Sequence, residues 1–553
     1  TCTFSDGTVL TQTISALGAQ GTGFSFRASR QLQLDFARVL TNGTIPTLVA
    51  VGSGSINNMV YTPAVAALAQ NGCGGVGGTA LSVNGVGTLG VTGDAVSNGA
   101  VSVASGTLRV AGDIYARCQS SITGTASACY PSGGSTPCGY PDVAGATRSG
   151  FHLVDPAYPA PSQLGGAQGA PNANVVLLSG IYGSLVRLNS RNCWFLSGGV
   201  YDFPAGYSNQ GDFVSNELKP PDEPDPSDNT ERAASQFWNT NGVNCSGSVQ
   251  VQRSTGGDGG IQTGNWAFEV TSTRFDTYNG ISYMRESAPS MCQTINLNPH
   301  FNDVQMTISN VPGATAYNVY AAPPNNGCSG HFGLATTVQV SSPVLNTNTN
   351  PCPAFNGNGC SLGHETVDLE SALESPFAPN AAAAPGTTGA YPPDPETAPL
   401  AAGLPDQNPG RGAGPSGDRA NENNCETSGG AYSTCPDSVT PGAVEFYSPV
   451  GGCITTGPSG DTYVFSGYQY NWIAAYEPPA NSCTNGLGAA SNSAYVGLFY
   501  APGATVNVSS AYVFEVAGTA GVMGSKISFT SNLPSIAYSS AYAPVPPASR
   551  LSS

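Results

Sequence analysis

The sequence predicts a mainly β, multi-domain protein in which β-solenoid-like segments are combined with a β-sandwich, with short helices confined to the N-terminus. Three observations predict it. Apolar residues alternate with small polar ones over long stretches, the period of a strand. A seven-residue phrase, Thr88-Leu89-Gly90-Val91-Thr92-Gly93-Asp94, returns nineteen residues later as Thr107-Leu108-Arg109-Val110-Ala111-Gly112-Asp113. The 553 residues include 71 glycines and 43 prolines but only 9% charged residues, the make-up of turn-rich β proteins.

Residues 1–75 form an N-terminal α+β segment. Leu32, Phe36, Val39 and Leu40 recur at helical spacing between Arg30 and Leu40. Thr62 and Pro63 read as the N-cap and first position of a second, short helix, with residues 64–70 as its body and Asn71-Gly72 as its stop.

Residues 76–145 read as solenoid-like repeats. A nineteen-residue offset is close to one coil, so 88–91 and 107–110 are expected to be parallel neighbours with Leu89 stacked on Leu108. A meander of hairpins is the alternative. Asp94 and Asp113 hold the same repeat position and are expected to cap turn amides, or less readily to bind Ca²⁺.

Residues 146–265 form a Gly/aromatic β region. Gly180-Ile181-Tyr182 and Gly199-Val200-Tyr201 each read as a glycine turn entering an aromatic strand, and an acidic loop follows. Residues 266–350 alternate cleanly at Val304, Met306 and Ile308, and Val311-Pro312-Gly313-Ala314 leads into Tyr317-Asn318-Val319-Tyr320. Residues 351–440 are a Cys/Pro-rich linker or arm. Residues 441–553 return to strands as a C-terminal, solenoid-like domain.

A net charge of −17 argues against nucleic acid and against docking to anionic lipid. No apolar run reaches the length of a membrane span. The chain starts at Thr1 without a leader, which reads as the start of a mature or truncated chain. Fifteen cysteines without a CxxC pair suit disulfides in an oxidising compartment rather than zinc. Sequence proximity groups Cys118 with Cys129 and Cys138, Cys328 with Cys352 and Cys360, and Cys425 with Cys435, Cys453 and Cys483; the pairing stays open.

The chemistry is sparse. His152, His300, His331 and His364 fall in no metal spacing. Gly359-Cys360-Ser361-Leu362-Gly363 matches G-x-S-x-G, but a loop precedes it where a nucleophile elbow needs a strand. The sequence therefore offers no catalytic and no cofactor-binding residues. Asp222, Glu223, Asp225 and Asp228 form the densest carboxylate run, read as a solvated loop or as a structural calcium site.

Two resemblances follow from these phrases. The 266–345 segment resembles a fibronectin type III or Ig-like sandwich, in which Tyr317, Tyr320 and Phe332 are either binding aromatics or core. Leu34-Asp35-Phe36-Ala37-Arg38-Val39-Leu40 with Ile45-Pro46 and Val49-Ala50-Val51, the stretch from Pro63 into Asn84-Gly85, and Gly497 to Val508 together resemble the TadG- and TadE-like proteins that accompany bacterial Tad (Flp-type) pili. The family's N-terminal membrane helix is absent from this chain, and the sandwich and Pro-rich arm are additions to its pattern. The resemblance implies a non-catalytic, extracellular structural or adhesion protein of the cell surface, with pilus or other envelope proteins, or further copies of itself, as partners. Two alternatives are a self-assembling filament or sheath subunit and a β-helix enzyme acting on polysaccharide.

Overall fold

The computed structural model describes residues 63–69, most of 78–118, 151–222 and 248–341, residues 363–374, and most of 440–536, together with the backbone of short strands elsewhere. Two architectures account for these residues. One is a parallel β-solenoid and the other an antiparallel sandwich.

The solenoid is a ladder of short strands in parallel register. Along one face, Gly180–Tyr182 pairs with Gly199–Asp202, which pairs with Val444–Tyr447, then Ile473–Tyr476, then the start of Leu498–Ser510, then the start of Val522–Asn532. A second face runs from Val186–Leu188 through Tyr207–Asn209, Ile454–Thr456 and Thr484–Ala489 to the later halves of the same two long strands. A third is the separate five-stranded sheet of Val176–Leu177, Cys193–Leu196, Phe213–Ser215, Asp461–Phe465 and Ala494–Val496. In alternating rungs, Val444 and Phe446 point inward and join one continuous core with Tyr201, Phe203, Tyr207, Tyr495 and Phe499. Their rings meet at 5.1–6.5 Å, favourable edge and tilted contacts.

The ladder does not stop at the C-terminal strand. Val522–Asn532 pairs in parallel with Val65–Ala67 and with Thr79–Val91, so N-terminal residues supply the next rungs. Ala95–Ser97 with Ala100–Val110, and then Ile114–Ala116 with Ser121–Ile122 and Ser127–Cys129, continue the stack. The repeat is realised in register: Thr88, Leu89, Gly90 and Val91 oppose Thr107, Leu108, Arg109 and Val110. Gly87 and Gly106, also nineteen apart, bend their strands at φ +90° and +76°, where a side chain would be strained.

Both helical expectations in residues 1–75 are corrected. Leu34–Ala37 is a strand of a hairpin with Val49–Gly52. Val65–Ala67 is a solenoid rung, buried on every residue between rungs at 522–524 and 95–97. The Thr62-Pro63 cap signal is local; stacking on both edges supplies ladder hydrogen bonds and burial that a short isolated helix lacks.

Between Phe213–Ser215 and Val444–Tyr447 the chain leaves the solenoid to form the sandwich. Val249–Ser254, Asp303–Ser309 and His364–Asp368 form one antiparallel sheet. Gly264–Tyr278, Ile281–Glu286, Gln293–Leu297, Ala316–Ala322 and Gly333–Gln339 form the other. Trp266, Phe268, Val270, Met306, Ile308 and Val319 fill the space between them. The module is thus wider than 266–350: it starts at Val249 and takes in His364–Asp368, placed in the linker from sequence.

Candidate ligand cleft

A cleft opens where the two architectures meet. Its walls come from four places: the outward side of the solenoid rungs at Val200 and Glu445, a strap at residues 159–165, the 3₁₀ turn Tyr468–Tyr470, and the hairpin tip of the sandwich at residues 276–278. Two chambers of about 320 and 170 Å³ share Gln163, Val200, Tyr278, Gln469 and Tyr470.

The strap is held across a column of outward aromatics. Tyr447, Tyr476 and Tyr500 are register partners on successive rungs. Tyr158 packs edge-on to Tyr500 at 5.0 Å, and Tyr476 Oη donates to the Tyr158 carbonyl at 2.9 Å. Tyr500 Oη donates to Asp155 Oδ1 at 2.5 Å. Asn98, on an N-terminal rung, exchanges hydrogen bonds of 2.8 and 2.9 Å with the backbone of Leu153.

The 3₁₀ turn is tied to the point where the chain returns from the sandwich. Gln469 accepts from the Thr440 N–H at 2.8 Å and donates to the Thr440 carbonyl at 2.9 Å. Gly467 lies so close that a Cβ there would stand 2.4 Å from Thr440 Cβ. After the turn, Asn471 and Trp472 are both left-handed, at φ 50° and 56°. Two consecutive non-glycine residues in that region carry strain, held here by Trp472 N–H to Gly467 O at 2.9 Å and by the Trp472–Tyr468 ring contact at 5.0 Å. The result projects Tyr470 into the cleft, edge-on to Tyr278 at 6.5 Å.

The hairpin tip is anchored by Arg274. Its Nε donates to Asp276 Oδ1 at 2.9 Å, its Nη1 to the Gly313 carbonyl at 3.1 Å, and its guanidinium covers the solenoid ring of Phe195 at 5.1 Å. Gly313, at φ +84°, presses on that ring from the other module; a Cβ would stand 2.5 Å from it.

Glu445 is the odd residue of the cleft. It is 3% exposed and accepts no hydrogen bond from any described residue. Burial pushes its carboxyl well above the usual carboxylate range. Burial, then the nearby Glu445 and Tyr278, raise the Tyr470 phenol too. Among the described residues, no lysine, arginine or histidine lines either chamber.

The residues singled out from sequence lie elsewhere. Asp222 accepts from the Val249 N–H at 3.2 Å, while Glu223, Asp225 and Asp228 lie outside the described residues. The carboxylates that gather are Asp303, Asp368 and Glu370 on the sandwich, with ligand oxygens within 4.8 Å of one another. Oxygen-only ligands suit a hard cation, but an acidic cluster by itself identifies none. Ser361 lies outside the described residues, and His364 opens a sandwich strand opposite Ser309. Asp113 is likewise outside; Asp94 joins the ladder through its carbonyl, which accepts from Val65 N–H at 3.1 Å. Tyr317, Tyr320 and Phe332 are at most 1% exposed; Tyr317 belongs to the core between the sheets, whereas Tyr320 and Phe332 belong to a separate small buried cluster with Ala267 and Ala322.

Cys328 pairs with Cys292, a partner outside its expected group, at S–S 2.08 Å. Cys118 and Cys193 are also disulfide-bonded. Cys453 and Cys483, on adjacent coils, are thiols. Burial first, then Cys453 and Glu477, push the Cys483 thiol up. Cys129 and Cys425 end and begin short strands, and Cys138, Cys352, Cys360 and Cys435 lie outside the described residues.

Sequence reasoning missed Glu445, Tyr278 and Tyr470. Glu445 occupies the outward position of an alternating strand and reads as solvent-facing; only the docking of strap and sandwich buries it. The one local signal is the crowding of Tyr468, Tyr470 and Trp472 beside Gly467.

Fold and cleft define a class: a parallel β-solenoid, in which the strand Val522–Asn532 stacks on N-terminal rungs, that carries an inserted antiparallel sandwich. Comparison with family models, with curated proteins and with solved structures finds no match. Among the described residues no helix is long and apolar enough to cross a membrane.

Proposed function

We propose that this chain is a non-catalytic, extracellular cell-surface protein whose solenoid is a scaffold that presents the sandwich for adhesive contact, in association with a Tad-like pilus or another envelope assembly. The observation that carries this reading is the place of the insertion. Gly199–Asp202 and Val444–Tyr447 are directly paired rungs, with Gly199, Val200, Tyr201 and Asp202 opposite Val444, Glu445, Phe446 and Tyr447. The scaffold therefore runs unbroken beneath a module spliced between two of its rungs. Asn216 Nδ2 donates to the Gly442 carbonyl at 2.9 Å, so the exit and return points touch. Disulfides on both modules suit an oxidising compartment. The sequence phrases shared with Tad-associated proteins supply the pilus context.

The test is to replace residues 217–439 with a short Gly/Ser linker and to measure surface attachment and assembly of the secreting cell. The far-ultraviolet spectrum of the purified variant should remain that of a folded β protein, and attachment should fall. Unchanged attachment would reject a presenting role.

A further inference from the structure

We propose that the cleft between strap, solenoid and hairpin tip binds an uncharged saccharide, with Tyr278 and Tyr470 offering ring faces and edges and Glu445 and Asp276 meeting hydroxyl groups.

Four observations converge. Size comes first: the larger chamber, about 320 Å³, falls in the range of small-ligand sites, and the smaller one, about 170 Å³, extends it along a shared wall. Second, Glu445 is a nearly fully buried residue that lines the smaller chamber, with no hydrogen bond to its carboxyl from the described residues. A buried polar group without a partner is costly, and in a native fold it calls for an explanation. A hydroxyl-rich ligand in the adjoining chamber supplies one, since a hydroxyl both donates and accepts.

Third, the walls mix flat aromatic surface with acids and amides. The apolar faces of a sugar ring lie against aromatic rings, while its rim of hydroxyls needs closely spaced polar groups. Tyr278 and Tyr470 supply the first; Asp276, Glu445, Gln163 and Gln469 supply the second. Fourth, charge selects among saccharides. Among the described lining residues there is no cation, and the nearby Arg274 is already paired with Asp276, so an anionic sugar finds no unpaired counter-charge. A neutral ring needs none.

The cleft is also built rather than incidental. Tyr470 projects from a turn with two strained residues behind it, and Asp276 is fixed by Arg274. Such preorganisation lowers the ordering cost of binding. The strap closes one side, so the site exists only when solenoid, strap and sandwich are all in place.

The experiment is calorimetric titration of the full chain with cellohexaose, mannohexaose, galactohexaose and chitin hexamer as neutral probes. Hexagalacturonate and chitosan hexamer serve as the anionic and cationic ones. At least one neutral probe should bind and hexagalacturonate should not. Tyr278→Ala, at an exposed hairpin tip, should weaken that binding about tenfold or more without shifting thermal unfolding. Glu445→Gln keeps a hydrogen-bonding group of the same size and should stay within about threefold of wild type, while Glu445→Leu should lose about tenfold. Absence of binding by all neutral probes, binding indifferent to Tyr278→Ala, or preference for either charged hexamer overturns the proposal. These readouts do not depend on surface attachment, so the site and the presenting role fail separately.

Discussion

Val522 lies opposite Val65 as a parallel register partner, joining a C-terminal strand to an N-terminal one in a single ladder. Both residues are buried in the common core. Three rungs from the N-terminal region thus cover what would otherwise be an open edge carrying Val522, Ile527 and Phe529. Deleting residues 1–129 should leave a long apolar strand edge free to pair with other chains. The expected outcome is loss of soluble monomer, read by size-exclusion chromatography and light scattering. Val522→Asp should destabilise by roughly 3 kcal/mol or more, from a charge buried without a partner.

Leu89 and Leu108 stack on successive coils, each 1% exposed. Leu108→Ala should lower unfolding free energy by about 2–5 kcal/mol. Its neighbour Arg109 is exposed, and Arg109→Ala should stay within about 0.5 kcal/mol of wild type. Equal effects in denaturant titrations would show that the stack contributes nothing special.

Gly313→Ala should disturb the seat of the sandwich on Phe195. The substituted residue would need φ +84° and would place a Cβ 2.5 Å from the ring. The expected result is faster proteolytic release of the sandwich with little change in solenoid unfolding. A protease digest identical to wild type would sink this account of the junction.

Glu477 gives the fold a pH dependence. It accepts from Asn485 Nδ2 at 2.9 Å, and burial raises its pKa from 4.5 to about 7. Because the folded state holds this proton more tightly than the unfolded state, its stabilisation is complete below about pH 4.5 and is lost as pH rises to about 7. The difference is on the order of 3 kcal/mol. Glu445 shifts in the same direction. Thermal unfolding followed from pH 4 to 8 should show stability falling through this window, and Glu477→Gln should remove part of the slope.

Cys453 and Cys483 are thiols, whereas Cys118, Cys193, Cys292 and Cys328 are disulfide-bonded. Alkylation of the unfolded, unreduced protein followed by mass spectrometry should tag the first pair and spare the other four. Tagging of Cys292 or Cys328 would refute that bridge.

Much of the fold is legible in local pattern. The alternation from Leu81 to Val110 and the nineteen-residue repeat point to stacked coils with a meander of hairpins as the alternative, and the parallel register of 88–91 with 107–110 selects the coils. The alternation of Val304, Met306 and Ile308 determines a sandwich face. Tertiary structure alone decided three things. It made Val65–Ala67 a rung, since the partners that outweigh the Thr62-Pro63 cap lie at residues 522–524 and 95–97. It placed Cys292 against Cys328, because sheet geometry and not sequence proximity brings sulfurs together. It also turned Glu445 from an outward residue into the buried acid of a cleft. No local pattern encodes that, because strap, turn and hairpin tip come from distant parts of the chain and meet only when it folds.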